Sequence, residues 1–240
     1  MKNYLLILAM VVLPAVLTAQ GMVRGVVYGD LNGNGKMERR EKGLPGVAVS
    51  NGREVVLTGP KGEYALPLGI DNIIFVIKPE QYAMPLSEFN LPRFYHIHKP
   101  GGSPQGYKYP GVAPTGPLPR TVDFGLLPSE EKESFTALVL GDPQPLTREE
   151  VDFFNRGIID EIAGIGGVAF GISLGDLVWD DLDLHLPYLE AVKRVGLPWY
   201  NVMGNHDQNY EARTDSLADE TFEARFGPAN YAFNYGKAHF

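Results

Sequence analysis

Three apolar runs in the second half of this chain end alike. "TALVL" closes on Gly141-Asp142, "VAFGISL" on Gly175-Asp176, and "PWYNVM" on Gly204-Asn205, with His206 and Asp207 following at once. A short apolar run bounded by turn residues reads as a buried strand. Between the runs lie stretches of helical periodicity, and strand–helix alternation predicts a parallel sheet. In such sheets, sites gather at the carboxyl ends of the strands, where glycine lets the backbone turn sharply. Each expected strand therefore offers one hard oxygen donor at its end. Carboxylates gathered at one edge are costly unless a cation neutralises them.

The intervening elements can be placed. Thr147-Arg148-Glu149-Glu150 reads as a capping box, and Val151, Phe154, Ile158 and Ile162 mark the inward face of the helix it opens. Gly164 to Gly167 ends that helix. Leu184, Tyr188, Leu189 and Val192 predict a second helix, stopping at Gly196. A short third helix is expected near 216–226, before Gly227-Pro228, and "YAFNYGKAHF" begins a further strand.

The first half has a different grammar. "MVRGVVYGD", "GVAVSNG", "REVVLTG", "GEYALPL" and "NIIFVIKP" are short β-prone runs separated by turn residues, and Asn51-Gly52 is a strong hairpin signal. They predict a small β-sandwich of immunoglobulin-like or transthyretin-like type over residues 20–78. Residues 79–133, rich in proline and glycine, read as a linker, and residues 134–240 as the α/β part. His96 and His98 alternate in this linker. With no carboxylate near them in sequence, they read as packing residues. Residues 1–19 read as a secretory signal peptide, with Lys2 ahead of an apolar core and Leu17-Thr18-Ala19 as the cleavage site. Secretion or a periplasmic location follows, with no membrane span after cleavage.

Composition removes several classes of function. A formal charge of −8 argues against broad nucleic-acid binding, which needs basic surface. The absence of cysteine excludes disulfides, thiolate metal sites, cysteine nucleophiles and a lipoprotein anchor.

The ordered trio "GDPQ", "GDLVWD" and "GNHD" resembles the signature of the calcineurin-like metallophosphoesterases, and secreted members of that superfamily carry a β-sandwich in front. The resemblance implies the first part of an α/β/β/α sandwich, two metals (Mn, Fe or Zn) and a phosphate-ester substrate hydrolysed by two-metal activation of water. Carried over, Asp142 binds the first metal, Asp176 bridges both, and Asn205 binds the second. His206 protonates the leaving group, and Asp207 orients its imidazole. The chain departs from the pattern in two places. Gln144 stands where the family has a histidine ligand and offers at most a carbonyl oxygen. The downstream histidines are missing, so the natural protein is expected to continue past Phe240, and this chain is expected to lack competence alone.

Two further motifs carry rival readings. "DLNGNGKMERRE" matches a calcium-loop pattern, with Asp30, Asn32, Asn34, the Lys36 carbonyl and Glu41 as ligands, which would make the sandwich a non-catalytic binding module. "GISLG" matches the serine-hydrolase elbow, with Ser173 as nucleophile and His206 as base.

Overall fold

The computed structural model describes residues 21–240; the expected signal peptide lies outside the described residues. The molecule is a β-rich N-terminal part followed by an α/β part, as the two grammars imply. The first part contains β1 (Gly21–Gly29), β2 (Ala48–Ser50), β3 (Val55–Leu57), β4 (Glu63–Leu68), β5 (Asn72–Val76), β6 (Tyr82–Ala83), β7 (Tyr95–His98) and β8 (Phe124–Pro128). They form two four-stranded sheets, β4-β1-β8-β6 and β3-β2-β5-β7. Alternation along β4 turns Tyr64, Leu66 and Leu68 inward. There they meet Val23 and Val27 of one sheet and Val49, Ile74 and Val76 of the other. At the hairpin, the Asn51 side-chain oxygen accepts the Arg53 and Glu54 N–H groups at 3.0 and 2.8 Å.

Residues 79–133 are not a linker. β7 pairs with β5 along Asn72↔His98 to Phe75↔Tyr95. β8 lies parallel to β1 from Val27↔Phe124 and also pairs with β6. Both sheets are incomplete without this segment. Its prolines hide its strands from any periodicity search, because the paired stretches are only two to five residues long. His98 is buried on β7. Leu91 and Tyr109 of the same segment enter the core of the second part.

That second part is built on β9 (Ala137–Leu140), β10 (Phe170–Leu174) and β11 (Trp199–Val202), all parallel, in the order β11-β10-β9. Trp199 and Tyr200 point to opposite faces. Trp199 joins the core under α1 (Arg148–Phe154) and α3 (His185–Lys193), while Tyr200 joins an aromatic cluster with Phe170 and Phe233. α2 (Asp160–Ile162), α4 (Glu220–Phe226) and the small ladder of β12 (Asn234–Tyr235) and β13 (Ala238–His239) are the remaining α-helices and strands. The Thr147 hydroxyl caps α1 by accepting the Glu150 N–H at 3.2 Å. Between α1 and α2 the chain takes a π-helical turn at Asn155–Ile159. The wider turn advances the register by about one residue. Ile159 is therefore fully buried while Ile158, expected inside, is 43% exposed.

Two buried ion pairs tie the parts together. Lys78 contacts Glu131 and also donates to the Asn234 carbonyl at 2.6 Å. Lys99 contacts Glu220 of α4, with Asp71 at 3.4 Å. Around the second pair lies a cavity of about 260 Å³, walled by Asp71, Lys99, Asp219 and Glu223 among others. Burial, then the neighbouring Asp219 charge, pushes the Glu223 carboxyl up to about 7 from 4.5. A carboxyl raised on folding holds its proton better in the folded state. Its contribution is full below pH 4.5 and is lost as pH rises through about 7. The Glu223→Gln variant, neutral at every pH, should match the wild type at pH 4.5 and melt roughly 3–6 °C higher at pH 8. Thermal melts across that range check this, and equal Tm values at pH 8 would contradict it.

Candidate functional site

The parallel register brings the three strand ends to one edge. Leu140 lies opposite Ser173, and Leu174 opposite Val202. Continuing that register by two residues sets Asp176 beside Gly204. The fit is tight: a Cβ on Gly204 would collide with the Asp176 amide nitrogen and Oδ1. The Asp176 carbonyl accepts the Gln144 N–H at 3.1 Å, and the Pro145 carbonyl accepts the Trp179 N–H at 3.1 Å. The loop after β9 is thus laced to the loop after β10. The Gln144 side-chain amide also reaches Asp176 Oδ2 at 3.3 Å.

Backbone strain concentrates here. Among the described residues, six non-glycine residues have positive φ, and four of them are Asp142 (40°), Gln144 (45°), Asp176 (46°) and Asp180 (47°). A side chain held in the left-handed region costs about 1–3 kcal/mol and persists where surrounding contacts over-determine it. Such residues cluster at functional sites.

The donors at this edge suit a hard cation in kind. Asp176 Oδ1 already accepts the His206 N–H at 3.1 Å. The side chains of Asp142 and Asn205 have no hydrogen-bond partner among the described residues, and both residues are exposed. Two carboxylates and two amide oxygens are the donor types that divalent oxygen-seeking cations take. Carboxylates and imidazoles alone do not complete a site: among the described residues, no three His, Asp, Glu or Cys side chains are grouped to hold an ion.

The polar trio after Gly204 divides its labour differently from the expectation. His206 is oriented by Asp180, which lies 2.7 Å from its Nδ1, and its ring stacks on Trp179 at 4.2 Å and 24°. The Asp180 hydrogen bond and charge raise the His206 pKa above its ordinary value. Asp207 does not orient His206. It is fully buried and turns inward, where Oδ1 lies 3.1 Å from His185 Nε2 and Oδ2 accepts the Gly204 N–H at 2.9 Å. The Leu177 N–H is shared between both oxygens, at 3.0 and 3.1 Å. A 3₁₀ turn at Asn205–Asp207 causes the divergence, since three residues per turn aim neighbouring side chains apart. Asp180, Trp179 and His185 escaped the sequence reading; only the carboxylate density of "GDLVWDD" pointed toward the first.

Ser173 is no nucleophile. It is fully buried, and its Oγ lies 2.6 Å from the Tyr188 hydroxyl and 3.1 Å from Trp199 Nε1. It sits inside β10 and not on a turn. No histidine is among its partners.

In the Asp30–Glu41 loop, Asp30 is buried and accepts the Gly33, Asn34 and Gly35 N–H groups at 2.7, 3.3 and 2.8 Å. Glu41 accepts those of Leu31 and Glu38 at 2.9 and 2.8 Å. Asn32 and Asn34 accept the N–H groups of Asn34 and Lys36 and donate their amides to Glu38. The side chains at positions one, three, five and twelve of the calcium-loop pattern are all turned into the loop.

Residues 31–112 match the family model for the N terminal of calcineurin-like phosphoesterase. No curated protein matches the chain. The matched segment runs across residue 78, where the sequence reading placed a boundary, and stops short of the sheet edge just described.

Gly204 offers a test of the edge that needs no ligand. Gly204→Ala should lower stability by about 1–3 kcal/mol through overpacking against Asp176, read as a Tm fall of roughly 3–10 °C. An unchanged Tm would mean that the two loops are not in contact.

Proposed function

We propose that this chain, whose residues 31–112 match the N terminal of calcineurin-like phosphoesterase, belongs to an enzyme that hydrolyses phosphate esters with the help of divalent metal held at the edge of the parallel sheet. The observation that carries the reading is the clustering of strained, oxygen-bearing residues at Asp142, Gln144, Asp176 and Asp180 beside an oriented histidine.

Asp142, Asp176 and Asn205 would hold the metal, with Gln144 contributing an amide oxygen after a flip away from Asp176. When bound, the metal supplies Lewis acidity toward a phosphoryl oxygen and an activated water. With no imidazole among these four donors, manganese or magnesium suits them better than zinc. The remaining work belongs to the chain. Asp180 fixes His206 through Nδ1, which leaves Nε2 free to hold a proton for the departing alkoxide. Trp179 blocks one face of the imidazole and restricts its rotation. Beside Asn205, a cavity of about 340 Å³ lined by Met203, Gln208, Asp215, Asp219 and Asn230 gives room for the alcohol part of the ester. A signal peptide would place this reaction outside the cytoplasm. Among the described residues, no helix is long and apolar enough to cross a membrane.

Binding is the primary test. Manganese titrated into the protein should bind, and Asp176→Asn should weaken that binding at least tenfold, roughly the scale of losing a metal-site contact. Equal affinity in both proteins would refute the role of Asp176.

A second, compatible reading concerns calcium in the Asp30–Glu41 loop, favoured by the inward turn of all four motif side chains. Calcium should raise the Tm of the wild type by a few degrees, as any ligand of the folded state does, and should leave Asp30→Ala unmoved. A calcium-insensitive wild type removes this reading.

A further inference from the structure

A histidine in an aromatic core needs a reason. His185 opens α3 and is fully buried. The Phe226 ring meets it edge-on at 4.9 Å and 87°, with Phe222 further off at 6.4 Å. Its Nδ1 has no hydrogen-bond partner among the described residues, and an orphaned polar atom of this kind costs about 1–3 kcal/mol. A leucine or phenylalanine would avoid that loss. Burial holds the His185 pKa below its ordinary value, so the ring is neutral and carries one N–H. That hydrogen belongs on Nε2, because Nε2 lies 3.1 Å from the Asp207 carboxylate and Nδ1 makes no hydrogen bond among the described residues.

What Asp207 holds supplies the reason. Its oxygens accept two backbone N–H groups from two different loops, those of Leu177 and Gly204. Leu177 directly follows Asp176, and Gly204 directly precedes Asn205. The carboxylate therefore clamps the peptide unit that follows Asp176 and the one that ends at Gly204, a single residue before Asn205. A buried anion bound by only two amides could tilt or draw in water; a third donor, from a helix outside both loops, fixes its plane.

We propose that His185 is a positioning residue, acting through Asp207 to hold the Leu177 and Gly204 peptide units and hence the spacing of Asp176 and Asn205. Its consequence for metal rests on the phosphoesterase reading.

The experiment compares His185→Leu, which removes the donor, with His185→Gln, which restores an N–H at similar reach. Amide hydrogen exchange is read at Leu177 and Gly204 against the remote core amides of Val49 and Val76, and manganese affinity is measured alongside. In His185→Leu the two amides should exchange about tenfold faster relative to the remote pair, since one hydrogen bond's worth of restraint is lost. The manganese Kd should rise about 10–100-fold, and His185→Gln should recover both. A uniform loss of protection across all four amides, or equal behaviour of the leucine and glutamine variants, overturns the proposal. If His185→Leu does not fold, Asp207→Asn reads the same two amides, and unchanged protection there also overturns it. A wild type that binds no manganese sinks the phosphoesterase reading itself. A wild type that binds it, with affinity unchanged in His185→Leu, sinks only the role given to His185.

Discussion

A carboxylate with no access to water must be surrounded by donors, and Asp207 recruits its own from three places: the loop after β10, the loop after β11 and the first residue of α3. Desolvating an anion without them would cost several kcal/mol. Once they are in place, the two loops cannot drift apart without breaking charge-assisted hydrogen bonds. Gly204 works in the same direction by packing, since the absence of a Cβ is what lets the Asp176 carboxylate lie against its backbone. The strained φ values of Asp142, Gln144 and Asp176 are tolerated because this lacing leaves them no alternative.

The N-terminal part is more than an appendage to this edge. The segment after β7 carries Tyr109 into the α/β core, where its hydroxyl donates to Asp181 at 2.9 Å. Its carbonyl accepts from Asn209 at 3.0 Å and Thr221 at 3.1 Å. Those contacts brace the loop after Asp176 and the turn after Asp207 from outside. The Lys78–Glu131 and Lys99–Glu220 pairs lock the same junction. Burying paired charges adds little net stability, yet separating them would leave unpaired ions in a low-dielectric interior, so they favour one relative placement of the parts.

Several departures from the sequence reading share a cause. Periodicity assumes one uniform turn, and the π-helical stretch at Asn155–Ile159 exchanged Ile158 for Ile159 on the buried face. Adjacency assumes that neighbours in sequence cooperate, and the 3₁₀ turn at Asn205–Asp207 sent His206 outward to Asp180 and Asp207 inward to His185. Composition assumes that proline and glycine mean disorder or linkage, and three short strands between 79 and 133 complete both sheets of the sandwich.

The amino-acid order alone determined the strands, their parallel direction and the oxygen donors at their ends, because apolar runs closed by glycine can be buried in few other ways. It also showed the first five strands of the sandwich ahead of them, through turn residues spaced at strand length, but not the three that complete its sheets. Tertiary structure decided the pairings: which carboxylate meets which imidazole, whether Ser173 is exposed, and which side chains fill the junction. Those outcomes depend on contacts between residues far apart in the chain, such as His185 with Asp207 and Tyr109 with Asp181. No local pattern encodes such a contact, because it exists only once both partners have been carried into one desolvated place.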